Sequence, residues 1–486
     1  MAFTTPTYIL FLAVVFAVYW TLRRLGPQNV LLLISSYLFY LTWDRRFGVL
    51  LLVSGTIDYL LAILLGKAQK IRLRHSLLGL SILTNIGTLV FFKYFNFFSE
   101  NFQLLAKSIG WRTDPTLVKV LLPVGLSFYT FKSLSYVIDV YRGRLDPTRN
   151  LVAYLTYVSF FPQILAGPID RAGNLLRQLL AERRFSYPLA ADGCRQILWG
   201  LFKKMVLADN LAPIVNLVYG EAANRPGTAL LFATVCFAFQ IYCDFSAYSD
   251  IAIGAGKLLG IRSGPNFAYP YFAQSPAEFW RRWHISLTSW FRDYVYFRLG
   301  GIRGSAVRKI LNVMITFMLS GLWHGASWNF LIWAGLNGTA VLPAVFLKTG
   351  ARPAAISKFG SFLKSTIRTS LTFGFICLTW IFFRAETVGK AFLILKKIFS
   401  DIFSATAYRS LRALLHPYPA YPLAGKTFAI FMLGFVGIEW LQRRREHPLV
   451  MDGRPTIVRW FVYQGVIFIV IYFGTYSISQ FYYYQF

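Results

Sequence analysis

Two of the five histidines in this chain lie in or at the edge of apolar sequence, where an imidazole could act on a proton. His324 lies in the segment SGLWHGASWNF, and no Asp, Glu, Lys or Arg occurs between Lys309 and Lys348 on either side of it. His284 lies in the segment EFWRRWHISL. A neutral imidazole can take a proton from a hydroxyl near physiological pH. Because an ionisable group inside a membrane is costly, we expect His324 to face a polar cavity or a partner group.

The uncharged run around His324 is too long for one membrane helix. As a single helix it would extend about 57 Å, whereas the hydrocarbon core of a bilayer is about 30 Å thick. We therefore predict two spans with a break near Gly325, which places His324 about 22 Å along the first span. Gly321 and Gly325 are four residues apart, and small residues at this spacing let another helix or a ligand approach the backbone closely. Plain helix packing explains the two glycines equally well.

The segment around His284, residues 278–301, has the periodicity of an amphipathic helix. One face is apolar and the other is charged, which predicts a helix that lies at the membrane interface. His284 falls at the edge of the apolar stripe, so it is either a functional residue or a boundary histidine that hydrogen-bonds a neighbour. The apolar face consists of Trp280, Trp283, Leu287, Trp290, Phe291 and Tyr294, and the charged face consists of Arg281, Arg282, Arg292 and Asp293.

Other polar side chains are weaker candidates for a site. Asp244 and Asp250, in CDFSAYSD, lie close to or within apolar sequence. They can orient an imidazole, pair with an arginine or simply face a water-filled cavity, and the pattern leaves these alternatives open. His75, His416 and His447 lie in basic or proline-containing loops, where we expect solvated surface residues.

Several well-known motifs are absent. The segment GAGKLLG is a glycine short of a dinucleotide fingerprint, and Lys257 is followed by Leu258 where a phosphate loop needs Ser or Thr. The chain has no GxSxG, no HExxH and no paired His/Cys cluster with metal-ligand spacing, so we expect no bound metal. None of the four cysteines is part of a CxxC motif, and we expect reduced core residues at Cys194, Cys236, Cys243 and Cys377.

The composition predicts a membrane protein. Hydrophobic residues make up 56% of the chain and the mean hydropathy is +0.50, which excludes an ordinary soluble domain. The apolar runs are long and continuous, so the fold class is an all-α polytopic membrane protein and not a β-barrel. The net charge of +30 fits Lys and Arg gathered in cytoplasmic loops. The alternative explanation is that the positive charge recruits an anionic, nucleotide-type substrate. We expect no nucleic-acid partner.

Hydropathy predicts about 10 to 12 transmembrane or re-entrant helices of uneven length. Basic clusters follow the first and third apolar runs and place the N-terminus outside, although Arg45 and Arg46 do not fit this orientation. We expect a re-entrant or tilted helix in residues 151–165, because this run is short for a span. We expect an interfacial helix over residues 172–185 and an extracytoplasmic loop over residues 399–426. The first run is expected to be a retained span. Besides the central pair, the apolar runs are residues 8–22, 30–43, 47–65, 77–92, 118–140, 197–207, 211–219, 229–243, 251–259, 371–383, 428–440 and 457–476.

Residue chemistry leaves three functions open. One or two histidines near an embedded cavity, with a basic rim that holds an anionic donor, fit acyl transfer to a hydroxyl. The same intramembrane histidine could serve as the proton relay of a transporter or flippase for cell-envelope glycan components, although we find no inverted repeat. A structural scaffold for a polysaccharide synthase, in which both histidines are dispensable, is the third.

Three segments resemble the membrane-bound O-acyltransferase family, and more narrowly its bacterial alginate O-acetylation branch. They are YSDIAIGAGKLLGI, PNFAYPYFAQSPAEFWRRWHISLTSWFRDYVYFRLGG and LSGLWHGASWNFLIWAGLNG. The stretches FTTPTYILFL, PVGLSFYTF, FFPQILAGPI and FYYYQF are similar too, so the resemblance covers essentially the whole chain. Its most specific feature is that WRRWHISL and LWHG occur together and in this order.

The resemblance implies one membrane domain over residues 1–486, with its helices around a central cavity that crosses the bilayer. Within it we expect N-terminal helices over about 1–150, a catalytic core over about 151–348 and C-terminal helices over about 349–486. The imidazole of His324 is then the general base, and His284 is a second site residue toward the cytoplasmic side. The residues expected to contact substrate or donor are Trp283, Arg281, Arg282, Trp323, Asn329, Asp244 and Asp250.

The resemblance also implies substrates and a location. The donor is expected to be acetyl-CoA in the cytoplasm, with no permanently bound cofactor. The acetyl group would pass across a bacterial inner membrane to an extracytoplasmic polysaccharide or to an intermediary SGNH-type acetyltransferase. Which acceptor is used is left open by the sequence.

Overall fold

The computed structural model describes residues 1–111, 120–347, 358–406, 408 and 426–476. These residues form helices, turns and loops and contain no β-strand. Seven of the described helices are long and apolar enough to cross a membrane, and three shorter helices are also apolar. The prediction of an all-α polytopic membrane protein is therefore confirmed. The chain divides into two compact units, which are described separately. The assignment of one membrane domain with three parts stays a prediction.

The first unit comprises Met1–Ala191 and Ala255–Gly264. Thr5 begins its first helix, because the Thr5 hydroxyl accepts a hydrogen bond from the Tyr8 amide and Pro6 occupies the first helical position. Its helices are α1 (Pro6–Thr21), α2 (Leu25–Leu41), α3 (Arg45–Lys67), α4 (Ile71–Ser108), α5 (Leu126–Tyr141), α6 (Leu151–Ser159) and α7 (Leu175–Leu179).

Two predictions in the first unit need correction. The predicted interfacial helix over residues 172–185 is wrong in extent, because only the five residues of α7 are helical. The run predicted over residues 77–92 is part of the much longer α4, which has 38 residues. Residues 151–165 contain the nine-residue α6, and the buried chain that follows it turns. That α6 is re-entrant or tilted stays a prediction.

The second unit comprises Asp192–Gly254 and Pro265–Phe486. The greater parts of α8 and α10 belong to it. The segments Phe202–Ala208 and Arg292–Tyr296 are π-helical, a local widening that is frequent at functional sites. Its α-helices are α8 (Tyr187–Leu201), α9 (Asp209–Gly220), α10 (Gly227–Leu258), α11 (Pro276–Arg282), α12 (Ile285–Phe291), α13 (Ala306–His324), α14 (Trp328–Phe346), α15 (Lys358–Arg384), α16 (Val388–Asp401), α17 (Lys426–Gln442) and α18 (Thr456–Phe473).

The predicted break near Gly325 is confirmed, since α13 ends at His324 and α14 begins at Trp328. The Ser327 hydroxyl accepts a hydrogen bond from the Asn329 amide and so caps the start of α14. Gly321 has no space for a side chain, because a Cβ atom there would lie 2.6 Å from the Phe330 carbonyl oxygen. The glycine therefore allows the backbones of α13 and α14 to approach closely. His324 is the last residue of a 19-residue helix about 28 Å long, and its depth in a bilayer stays a prediction.

Helix α10 is continuous, although the polar segment CDFSAYSD predicted two separate runs. The two aspartates in this segment form ion pairs with two lysines, which lie in the weak apolar run over residues 197–207. The Lys203 ammonium lies 2.7 Å from Asp250. The Lys204 ammonium lies 2.8 Å from Asp244 and 2.7 Å from Asp209. Buried charges are tolerated in an apolar interior when they are paired in this way.

One histidine prediction is wrong. His447 is buried and not solvated, and its Nε2 atom lies 3.1 Å from a carboxylate oxygen of Asp192. His75 is exposed, as predicted, and His416 lies outside the described residues.

The cysteine prediction is confirmed for Cys236, Cys243 and Cys377, which are buried and reduced. Cys194 is also reduced but exposed, so it is not a core residue. The loop predicted over residues 399–426 begins within α16, and most of it lies outside the described residues.

Candidate active site

A cavity of about 320 Å³ lies within the second unit, and both candidate histidines line it. Its volume is at the small end of the range of about 300–1,000 Å³ that is usual for small-molecule sites. Aromatic side chains from α11, α12 and α14 form much of its wall, and two arginines contribute to it. Lining residues used below are His284, His324, Trp283, Trp333, Arg281 and Arg292.

His324 reaches the cavity from the end of α13 and is surrounded by aromatic rings. Its ring centroid lies 5.0 Å from that of Trp333, 5.3 Å from that of Phe383 and 4.8 Å from that of Trp323. The residue is 5% exposed. These rings cover most of the imidazole, and polar interactions are stronger in such a low-dielectric environment than in water.

His284 lies between α11 and α12 with left-handed backbone angles, φ 42° and ψ 55°. The prediction of one continuous helix over residues 278–301 is therefore wrong at this residue. The amide of the next residue, Ile285, is not bonded within a helix. It donates a hydrogen bond of 2.8 Å to the Asn266 carbonyl oxygen. A non-glycine residue in this conformation costs about 1–3 kcal/mol, and such strain concentrates at functional sites.

The His284 ring is buried and engaged by a neighbouring amide. Its Nδ1 atom lies 3.0 Å from the Asn266 side-chain oxygen, and the Phe245 ring packs edge-on against it with a centroid distance of 4.6 Å. His284 lies outside the candidate membrane-spanning helices. Burial lowers the pKa of His284 to about 3, so the ring is neutral near pH 7.

Two arginines line the cavity and are exposed, which places positive charge where the cavity opens to its surroundings. They are Arg281 and Arg292. The Arg292 guanidinium is also 2.8 Å from a carboxylate oxygen of Asp293, so part of its charge is compensated. An exposed guanidinium at a cavity mouth suits the binding of an anionic group such as a phosphate.

Three of the predicted contact residues line the cavity or lie beside its histidines. Trp283 and Arg281 line the cavity. The Trp323 ring lies next to both imidazoles, with centroid distances of 4.8 Å to His324 and 6.1 Å to His284. Arg282 is adjacent in sequence but does not line the cavity, since its guanidinium lies 2.5 Å from the Glu278 carboxylate.

The other predicted contact residues do not line the cavity. The Asn329 side chain donates a hydrogen bond of 2.6 Å to the Ala385 carbonyl oxygen and so ties α14 to the end of α15. Asp244 and Asp250 pair with Lys204 and Lys203, and neither carboxylate is among the cavity-lining residues. Of the roles considered for the two aspartates, ion pairing is the one found, with lysine in place of arginine.

Sequence reasoning missed Asn266 and Trp333. Asn266 lies in PNFAYPYF, and the signal that could have revealed it is an amide in an otherwise aromatic segment. Trp333 is 1% exposed, and its indole N–H finds no hydrogen-bond partner among the described residues. An unpaired N–H group in a cavity wall can donate to a carbonyl oxygen of a bound molecule.

No metal site is found in the described part of the chain, where no three His, Cys, Asp or Glu side chains come together. The expectation that the protein holds no metal and no permanent cofactor stays a prediction. What the cavity does offer is two imidazoles, an indole N–H and a basic mouth.

These features define a class of protein: a multi-pass membrane protein with a cavity lined by two histidines. The sequence model of the membrane-bound O-acyltransferase family matches residues 73–383, which is more than half of the chain and includes both cavity histidines. The chain belongs to this family, and it is a membrane O-acyltransferase.

The chain is similar to several bacterial sequences. A probable alginate O-acetylase of Azotobacter vinelandii is 37% identical over 403 residues, covering 82% of this chain and 78% of the relative. A probable alginate O-acetylase of Pseudomonas aeruginosa is 37% identical over 404 residues, covering 82% and 75%. A peptidoglycan O-acetyltransferase of Helicobacter pylori is 31% identical over 427 residues, covering 82% and 79%.

Proposed function

We propose that this protein transfers an acetyl group from cytoplasmic acetyl-CoA to hydroxyl groups on the far side of a bacterial inner membrane. The acceptor is an extracytoplasmic polysaccharide or an SGNH-type acetyltransferase that acts on one. The observation that carries the proposal is that two buried imidazoles from different parts of the fold line one small cavity with a basic mouth. The names of the similar sequences, which specify O-acetylation of alginate and of peptidoglycan, support acetyl as the transferred group.

In this proposal His324 is the general base. Its imidazole takes the proton of the acceptor hydroxyl as the oxygen attacks the thioester carbonyl carbon. A C–O bond forms, the C–S bond breaks, and the proton passes from the imidazolium to the departing thiolate, which leaves as CoA thiol. The atoms and charges balance without a metal or a redox partner. Trp333 lines the cavity and its N–H has no hydrogen-bond partner among the described residues, which supports a role as donor to the carbonyl oxygen as negative charge develops there.

The aromatic wall supports this chemistry in two ways. It excludes water that would hydrolyse the thioester, and it strengthens the hydrogen bonds made inside the cavity. The rings of Trp333, Phe383 and Trp323 all lie close to His324, with centroid distances of 5.3 Å or less. A small cavity also favours a short acyl group over a long one.

The basic mouth supports an anionic donor. Arg281 and Arg292 are exposed lining residues, so their guanidinium groups can contact the phosphates of CoA while the thioester enters the cavity. The proposal thereby assigns the cytoplasmic side to the mouth that carries these arginines.

The test is acetyl transfer by the purified full-length protein. Radiolabelled acetyl-CoA is supplied with alginate oligomers, peptidoglycan fragments or a purified SGNH-type acetyltransferase as acceptor. We expect His324→Ala to lower the rate by about 10²–10⁴-fold, the usual contribution of a general base. The matched control is His75→Ala, because His75 is exposed and does not line the cavity.

Two results would overturn the proposal. One is acetyl transfer by His324→Ala at the rate of the His75→Ala control. The other is that reconstituted protein moves a glycan across vesicles with no acyl donor present, which would identify a transporter.

A further inference from the structure

We propose that Asn266 is a positioning residue that fixes His284 in the Nδ1–H tautomer, so that Nε2 accepts a hydrogen bond from an N–H or O–H group of a substrate. This inference rests on the proposed function, because it assigns a direction to one hydrogen bond in that site. Asn266 does not line the cavity, and the inference follows from the hydrogen bonds of its side-chain amide.

The first step is the orientation of the Asn266 side chain. The Ser286 backbone amide donates to its Oδ1 atom over 3.3 Å, and the Ser286 hydroxyl donates to the same atom over 2.9 Å. A backbone N–H can only donate, so the atom facing it must be the oxygen. On the other side, the Asn266 Nδ2 group donates to the Ser249 hydroxyl over 3.0 Å. Both ends of the amide are therefore assigned by their partners.

The second step is the proton on the His284 ring. The Asn266 oxygen can only accept, so the Nδ1 atom that lies 3.0 Å from it must carry a hydrogen. Because burial keeps the ring neutral near pH 7, the ring has one proton in total. That proton is on Nδ1, and Nε2 therefore carries a lone pair.

The third step is the position of the ring. The Asn266 carbonyl oxygen accepts a hydrogen bond of 2.8 Å from the Ile285 amide, directly after the left-handed His284 backbone. One residue thus holds both the ring and the strained backbone that presents it. Asn266 does not line the cavity, whereas His284 does, so a polar contact between the imidazole and a cavity ligand passes through Nε2.

The tautomer of His284 determines which hydrogen bonds its ring can make with a molecule in the cavity. A neutral His284 ring with its proton on Nδ1 cannot donate to a carbonyl oxygen through Nε2, so it is not the group that stabilises the developing oxyanion. It binds a hydrogen-bond donor, such as the acceptor hydroxyl or an amide N–H of the donor arm. The Trp333 indole N–H, which has no hydrogen-bond partner among the described residues, is one group of the lining that can donate to that carbonyl oxygen instead.

The test is ¹⁵N NMR of the full-length protein, labelled at histidine and purified in detergent. The two nitrogens of a neutral imidazole have well-separated shifts according to which one carries hydrogen, and the His284 signals are assigned by their loss in His284→Asn. We expect the unaltered protein to show a protonated Nδ1 at neutral pH. Asn266→Ala should lose this preference, whereas Asn266→Asp should retain it because a carboxylate oxygen still accepts from Nδ1.

Acetyl transfer is measured on the same variants. We expect Asn266→Ala to lower kcat about 10²-fold and Asn266→Asp to recover most of the loss; a wrong tautomer lowers kcat by about 10⁴-fold in a serine protease. The control is Asn210→Ala, because Asn210 is a buried asparagine in the second unit whose side chain donates hydrogen bonds to backbone carbonyls of residues that do not line the cavity. Loss of activity in Asn266→Ala beyond that control, with the tautomer change, supports the positioning role.

The failures are distinguishable. An unaltered protein with hydrogen on Nε2 and not on Nδ1 overturns the inference, whatever its activity. A protein with the expected tautomer but no acetyl transfer to any acceptor leaves the role of Asn266 standing and overturns the proposed function. Equal activity of Asn266→Ala and the Asn210→Ala control overturns the positioning role.

Discussion

A single methyl group at Gly321 should uncouple the activity of this protein from its stability. A Cβ atom at this position would lie 2.6 Å from the Phe330 carbonyl oxygen and 2.7 Å from the Ala334 Cβ atom. Both atoms belong to the main body of α14 and cannot rotate away. Carbon contacts are normally about 3.5–4.0 Å, so α13 and α14 must separate locally by about 1 Å in Gly321→Ala.

The expected effects on stability and on activity differ in size. Overpacking of this kind costs about 1–3 kcal/mol, and replacing glycine by alanine within a helix returns about 1 kcal/mol, so the net loss of stability is about 2 kcal/mol or less. His324 lies three residues further along α13, and Trp333 faces it from α14 with a ring distance of 5.0 Å. A displacement of about 1 Å in reacting groups can lower a rate about 10²-fold.

The assay compares Gly321→Ala with Gly335→Ala in the same helix pair. A Cβ atom at Gly335 would meet only the terminal methyl of Met318, at 3.2 Å, and this flexible side chain can move. We expect Gly335→Ala to transfer acetyl groups at close to the normal rate, and Gly321→Ala to lose about 10²-fold while its melting temperature changes little. Equal rates in the two variants would refute the view that close contact between α13 and α14 places His324.

Three further predictions follow from the charges. The pKa of His284 is about 3 in the folded protein, below the value of about 6.5 for a free imidazole. The unfolded chain therefore takes up the proton first as the pH is lowered. Below about pH 6.5 the folded state loses up to about 1.4 kcal/mol of stability per pH unit. The melting temperature should therefore fall more steeply from pH 7 to pH 5 than in His284→Asn, and parallel curves would contradict this. Lys204→Met removes the cation that lies beside two buried aspartates, and it should lower the free energy of unfolding by about 3–5 kcal/mol, measured by thermal unfolding. The control, Lys390→Met, removes the more exposed ion pair with Glu386 and should lower it by under about 1 kcal/mol. Arg281→Ala should raise the KM for acetyl-CoA about tenfold with little change in kcat, and an unchanged KM would exclude a donor contact.

The hairpin that carries His324 could be predicted from the sequence because the argument depends on length alone. A run without charges that is twice the thickness of a bilayer must turn, and glycine next to the histidine marks the place. The interruption at His284 could not be predicted in the same way. Residues 278–301 keep a helical pattern through this point. At the break, the Ile285 and Ser286 amides donate hydrogen bonds to Asn266, 18 residues before His284 in the chain.

The buried ion pairs were hidden for a related reason. Lys203 and Lys204 read as interruptions of a weak apolar run, and Asp244 and Asp250 read as polar residues that divide another. Each group looks unfavourable when its own segment is considered alone. Only the packing of α10 beside the π-helical segment joins the opposite charges, and local periodicity contains no information about partners some forty residues apart.

The left-handed backbone at His284 has a consequence for mutagenesis. Among residues with a side chain, asparagine, aspartate and histidine adopt this conformation most readily, whereas alanine is disfavoured there. A conventional alanine scan would therefore remove the ring and distort the peptide geometry at once. Asparagine removes the imidazole but still tolerates the left-handed backbone. The difference in activity between the asparagine and alanine variants therefore measures the contribution of the backbone conformation alone.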